Sequence, residues 1–119
     1  MEAAEEVTAC GKRSRDKGQR GEREVAEVLR RYGVEAKRGY QARGGSDEAD
    51  VEHSMPGIHL EVKRTETLRL WEALTQAERD LDPDDDVTVP VLVFRRNRSR
   101  WYACLPLEDW LRQLGYDDA

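Results

Sequence analysis

Cysteine is scarce in this chain of 119 residues: Cys10 and Cys104 are the whole complement. They fit no metal-binding spacing, so both read as reduced thiols in a cytoplasmic protein, with Cys104 packed in a strand. No run of about 18 apolar residues occurs, which excludes an ordinary bilayer-spanning helix. The opening "MEAAEEVTAC" is acidic and lacks an apolar h-region, so no signal peptide is expected. No Ser/His or Cys/His pairing suggests a covalent intermediate, and nothing resembles a base-reading helix or finger. Internal repeats and linkers are missing as well. What these absences leave is one small domain with a single modest core.

What is present is charge. Charged residues make up 38% of the chain, and the net charge is −5; mean hydropathy is −0.87. The charge is segregated. From Gly11 to Arg43 there are 11 Lys/Arg against 5 Asp/Glu, and from Gly44 to Asp86 the count is 4 against 13. The remainder is near neutral but carries "RRNRSR" at Arg95 to Arg100. Basic ends around an acidic middle can hold phosphates in one part and cations in another. The same composition also describes a merely solvated, highly charged surface.

Residues 1–16 show no periodicity and read as a flexible arm with a basic end, leaving 17–119 as the domain. A helix is expected over 18–32, closed by Gly33. "VEAKR" reads as a strand and "GYQARGGSDE" as a loop. "ADVEH" and "IHLEVKRT" read as neighbouring strands that turn at Met55-Pro56-Gly57. An amphipathic helix follows at 70–81, with Leu70, Ala73, Leu74, Ala77 and Leu81 on one stripe. "VTVPVLVF" reads as a strand buried on both faces, where Pro90 argues for a bulge or a lapse in pairing. "RRNRS" turns the chain into a second hairpin arm, "RWYACL". Leu107, Trp110, Leu111 and Leu114 form the stripe of a last helix. The order is αβββαββα: an α/β domain with a mixed sheet flanked by helices.

One strand raises a chemical question. In "GIHLEVKRT", Ile58, Leu60 and Val62 take one face, while His59, Glu61 and Lys63 take the other. The first helix poses a related one. Its stripe of Val25, Ala26, Leu29 and Tyr32, continued one turn backwards, lands on Glu22, and a carboxylate there must be paired, neutralised or bound to a cation. Asp50 lies in "ADVEH", with Ala49 and Val51 on the opposite face. Adjacent strands lie about 4.8 Å apart, so Asp50 and Glu61 can bring carboxylates to one hard divalent cation. Lys63 stands about 6.6 Å along the same face from Glu61, where its ammonium can overhang such a site. Alone, E-x-K on a strand is equally an ordinary surface pair.

The series Glu22, Asp50, Glu61 and Lys63, E-x27-D-x10-E-V-K, resembles the PD-(D/E)XK nuclease superfamily. Within it, the chain is most similar to small phage and archaeal Holliday-junction resolvase-like proteins. The resemblance runs from Lys17 to Leu114 through "KGQRGEREVAEVL", "RGGSDEADV", "HLEVKRTETLRLWEALTQAERD" and "PVLVFRRNRSRWYACL". The proline that usually precedes the aspartate is Ala49 here. The resemblance implies a restriction-endonuclease-like core in which Asp50, Glu61 and the Val62 carbonyl ligate Mg²⁺, with Mn²⁺ able to substitute. Lys63 would be the catalytic lysine. Glu22 would contribute from the first helix, directly, through water or at a second metal. Gln76 matches a glutamine that relatives place near the site, although its helix position is on the flank. The implied reaction is phosphodiester hydrolysis by an activated water, leaving 5′-phosphate and 3′-hydroxyl ends. Symmetric cutting of a four-way junction further implies a homodimer, acting in the host cytoplasm if the protein is phage-encoded.

The remaining charges supply candidates for phosphate contact: Lys12, Arg13, Arg15, Lys17, Arg20 and Arg23 on and before the first helix, then Arg38, Arg43 and Arg64 around the site. Arg96 and Arg98, with Arg95 and Arg100, mark a hairpin tip that either reaches a second DNA arm or keeps an edge soluble. Such contacts position DNA without reading sequence. His53 reads as structural, His59 as able to approach DNA, and Asp47 and Glu52 as spare carboxylates. Trp71, Trp101 and Trp110 read as core or interface anchors. Two other readings stand beside the resolvase: a nicking or end-processing nuclease of the same fold, and a nucleic-acid-binding module without turnover.

Overall fold

A run of good helix formers, Ala, Glu and Arg, opens the chain. In the computed structural model, which describes residues 2–39, 51–85 and 87–118 and side chains from Asp16 onward, helix α1 spans Glu2–Arg31. The backbone of 2–16, expected as an arm without regular structure, is thus helical and continuous with the rest of α1. Propensity, rather than an apolar stripe, accounts for that half. At the other end Gly33 takes φ +85°. The Val34 N–H bonds the Leu29 carbonyl at 3.0 Å and the Gly33 N–H bonds that of Arg30 at 3.0 Å. This is the pair of backward bonds that a left-handed glycine provides at a helix end.

Strands β1 (Ala36–Arg38) and β2 (Val51–His53) pair antiparallel. Strand β3 (Ile58–Arg64) leads through helix α2 (Leu70–Arg79) to β4 (Val89–Arg95), and β3 and β4 pair in parallel. The helical crossover is what a parallel pair requires. Strand β5 (Tyr102–Cys104) returns antiparallel to β4, and helix α3 spans Leu107–Gln113. The element order is the expected αβββαββα.

One expectation needs correcting, and one pair of alternatives is decided. Among the described residues β2 is not a ladder neighbour of β3; the sheets are β1-β2 and β3-β4-β5. The backbone bends away after β2. The Ser54 N–H extends the pairing with β1 by bonding the Glu35 carbonyl at 2.9 Å, and the Met55 N–H is taken by His53 Nδ1 at 3.1 Å. Pro90, in turn, makes no bulge: it sits in unbroken register opposite His59. The Val89 N–H points to β3, bonding the Gly57 carbonyl at 2.8 Å, so by alternation the Pro90 nitrogen faces the other edge. There β5 pairs only from Leu92 onward, and no donor is required.

The core lies on both faces of β3 and β4. On the α1 side, Val25 and Ala26 pack with Val51 and Val62, while Leu60, Val89 and Val91 form a second cluster; Leu29 and Val93 touch both. On the other side the fully buried Leu92 is the register partner of Glu61, and α2 packs against β3 and β4 with Ala73 and Ala77 buried. At Gly21, α1 crosses β3 so closely that a Cβ would lie 2.9 Å from the Arg64 Cβ. A side chain is excluded there by contact, not by backbone conformation. Helix α3 has no buried residue, and Leu107, Trp110 and Leu114 are exposed.

Candidate active site

Glu61 is the chemical centre of β3. Its neighbours in sequence, Leu60 and Val62, are buried in the core, and Glu61 itself is only 4% exposed. A carboxylate so deeply placed needs positive charge or donors nearby. Lys63, two residues on along the same face, places Nζ 3.4 Å from Glu61 Oε1. His59, two residues back, places Nε2 3.9 Å from Glu61 Oε2. The alternation seen in the sequence therefore makes a row in space, with the carboxylate between an imidazole and an ammonium.

Helix α2 adds a group to the row. Asp80, the residue that caps its C-terminus, has Oδ2 3.9 Å from His59 Nε2. Among the described residues, His59, Glu61 and Asp80 form a cluster whose potential ligand atoms all lie within 4.8 Å of one another. Sequence reading assigned no role to Asp80, and His59 only an approach to DNA. The signal was available. Ala73 and Ala77 are the buried positions of α2, and one further helical step reaches Asp80, the extrapolation that found Glu22 on α1.

Glu22 is 7% exposed, one turn before the buried Val25 and Ala26, as the stripe predicts. Arg38 on β1 donates from Nε to Glu22 Oε2 at 3.1 Å. Glu22 is not a member of the His59–Glu61–Asp80 cluster. Val62 turns its side chain into the core beside Val25 and Val51. Gln76 is half-buried on the flank of α2, one turn before Asp80. Asp50, Asp47 and Arg43 lie outside the described residues, as do the side chains of Lys12, Arg13 and Arg15.

The described basic candidates divide into two groups. Arg20, Arg23, Arg96 and Arg98 are exposed. Lys17, Arg38 and Arg64 are engaged by the protein itself: Lys17 bonds Glu66 at 3.2 Å, Arg38 holds Glu22, and Arg64 donates to Asn97 Oδ1 at 2.9 Å. The last contact belongs to a brace that ties the tip of the β4–β5 hairpin to α1. Within it, Glu24 accepts two bonds from Arg95, at 2.9 and 3.1 Å, and lies 3.5 Å from Arg64 Nε. The Arg95 guanidinium lies over the Trp101 ring, 5.5 Å from its centroid. Glu66 accepts the Asn97 backbone N–H at 2.8 Å; that bond, aided by Lys17, holds its carboxyl below the usual glutamate range. The exposed arginines at the tip are therefore mounted on a fixed support.

Of the three tryptophans, Trp101 packs against the core, whereas Trp71 and Trp110 are exposed. Glu52 is exposed and pairs across the small sheet with Lys37 at 3.5 Å. No helix among the described residues is long and apolar enough to cross a membrane.

A buried glutamate with a lysine two residues on, in a strand paired in parallel, is the arrangement that the sequence resemblance leads one to expect. Comparison with known proteins bears on it directly. A search of curated proteins found no match. The family described as "Phage putative PDDEXK endonuclease" matches residues 13–117, which takes in Glu22, Asp50, Glu61 and Lys63. The chain belongs to that phage PDDEXK endonuclease family.

Proposed function

We propose that the protein is a structure-selective DNA endonuclease that cuts branched DNA, a four-way junction above all, by metal-dependent hydrolysis to 5′-phosphate and 3′-hydroxyl ends. The observation that carries the reading is the buried Glu61 with Lys63 Nζ at 3.4 Å, in a chain matched over 13–117 by a nuclease family.

The donor chemistry suits a hard divalent cation such as Mg²⁺, with Mn²⁺ as a substitute: the groups concerned are carboxylate and carbonyl oxygens. Asp50, Glu61 and the Val62 carbonyl would hold it. Glu22, whose Oε2 accepts from Arg38, would join this set through its remaining lone pairs, through water or at a second metal, or else would act by fixing Arg38. When bound, the cation supplies Lewis acidity toward a phosphoryl oxygen and lowers the pKa of a coordinated water. Lys63 holds positive charge at the site, where it stabilises the negative charge that develops on the phosphate in flight. Gln76, half-buried one turn before Asp80 on α2, would serve as a further polar partner at the site.

The exposed Arg20 and Arg23 on α1 and Arg96 and Arg98 on the braced hairpin supply phosphate contacts that position a duplex arm. Lys12, Arg13, Arg15 and Arg43, whose side chains lie outside the described residues, are candidates alongside them; Lys17, Arg38 and Arg64 already bond protein groups and would serve through their remaining donors. Two active sites are needed to cut a junction symmetrically, which favours a homodimer. The uncovered apolar stripe of α3 supports that reading. The setting is the cytoplasm of the phage host.

The test is cleavage of junction, nicked, flap and linear duplex DNA, each with Mg²⁺ and with EDTA, with the product ends mapped. Paired cuts across a junction support a resolvase. Cutting confined to nicked or flap DNA would favour a nicking or end-processing enzyme, and binding without cutting on every substrate would favour a non-catalytic module.

A further inference from the structure

The row on β3 has a second half that the nuclease reading does not use. Glu61 Oε1 faces Lys63, whereas Oε2 faces His59, and His59 in turn faces Asp80. His59 Nε2 is inaccessible to solvent and has no hydrogen-bond partner. Its separations from the two carboxylate oxygens, 3.9 Å each, are too long for hydrogen bonds. They are right for something held between them. A cation with bonds of about 2.0–2.2 Å places its donors between about 2.8 and 4.4 Å apart, from adjacent to opposite positions.

We infer that His59, Glu61 and Asp80 form a binding site for a first-row transition-metal cation. It rests on the nuclease reading only in sharing Glu61, and it differs from the proposed Mg²⁺ centre in its donor chemistry. Mg²⁺ takes oxygen ligands, whereas one imidazole with two carboxylates selects for cations such as Zn²⁺ or Mn²⁺. The fold makes the site from two elements. β3 projects His59 and Glu61 on one face at a spacing of two, and the end of α2 delivers Asp80 from above them. Side-chain exposure falls from 28% at Asp80 to 21% at His59 and 6% at Glu61, so the cluster opens to solvent on the Asp80 side. Occupancy would pin Glu61 Oε2 and leave Oε1 with Lys63, fixing the glutamate that the nuclease reading places at the reaction centre.

The experiment is calorimetric titration of the purified full chain with ZnCl₂, without DNA and in the presence of millimolar Mg²⁺. It therefore reads metal uptake whether or not the protein cuts DNA. One Zn²⁺ per chain is expected, held against Mg²⁺, with affinity reduced about tenfold or more in both His59→Ala and Asp80→Asn. Asp80 lies at the exposed end of α2, so Asp80→Asn decides the matter if His59→Ala does not fold. No Zn²⁺ uptake, displacement by Mg²⁺, or uptake equally tight in Asp80→Asn would overturn the inference and leave the cluster an ion-pair network.

Discussion

Glu24 and Arg95, 71 positions apart, meet in a two-bond ion pair: Arg95 Nε and Nη2 donate to the two oxygens of Glu24 at 2.9 and 3.1 Å. The pair joins α1 to the end of β4, and the guanidinium also covers the Trp101 ring. A forked cation in this position does what a point charge cannot.

Replacing Arg95 by Lys is therefore expected to destabilise the protein, by about 1–2 kcal/mol, because it loses the second bond and the flat contact with Trp101. Thermal or urea unfolding of the variant measures this. A midpoint equal to that of the wild type would mean that the brace does not hold the hairpin.

Gly21→Ala tests the close approach of α1 to β3. Alanine is the better helix former by about 1 kcal/mol and on an open helix face would stabilise. Here the new methyl meets the Arg64 Cβ at 2.9 Å, an atom fixed to the β3 backbone. A net loss of about 1–3 kcal/mol is expected, whereas Gly18→Ala, with nothing within 4 Å, is expected to gain. Urea midpoints of the two variants should move in opposite directions.

Much of this architecture was legible in the sequence, and the exceptions have physical causes. The helix and strand order followed from apolar periods of 3.6 and 2, and Gly33 marked a real helix end. The pairing of β2 was not legible, because a three-residue strand has too few side chains to specify its neighbour and its partner was settled by bonds at residues 35, 54 and 55. At Pro90 a bulge and a lapse in pairing were both open, and the lapse occurs, on the edge toward β5; which edge its nitrogen faces is revealed by alternation only once β5 is placed. The burial of Glu22 was legible because a carboxylate that continues a buried stripe is conspicuous, and the shared face of Glu61 and Lys63 followed from the alternation along β3. Asp80 was overlooked although the buried positions of α2 lead to it, since it sits in the acidic run "ERDLDPDDD", where one carboxylate looks like any other.

His53 makes stability depend on pH. Its Nδ1 accepts the Met55 N–H, which requires an unprotonated nitrogen, and burial lowers its pKa below the ordinary 6.5. The unfolded chain thus takes up the proton first. The stabilising contribution is complete above pH 6.5 and is lost as pH falls through the folded-state value. Unfolding free energies measured from pH 7.5 down to 5 should decline more steeply for the wild type than for His53→Gln. Parallel curves would show that His53 is not the titrating group.

Arg98 separates stability from binding. It holds φ at 63°, a conformation that costs an L side chain about 1–2 kcal/mol. Arg98→Gly is expected to raise stability by about 1 kcal/mol. It should also weaken DNA binding and lower the slope of log affinity against log salt by about one unit. A stabilised variant with unchanged salt dependence would remove Arg98 from the DNA surface.

The most direct test of the nuclease site is Glu61→Gln, which keeps volume and removes charge beside Lys63. Cleavage of junction DNA in Mg²⁺ should fall by about a hundredfold or more, while junction affinity in EDTA and the circular-dichroism spectrum stay those of the wild type. Undiminished cleavage by the folded variant would contradict the assignment of Glu61 to the reaction centre.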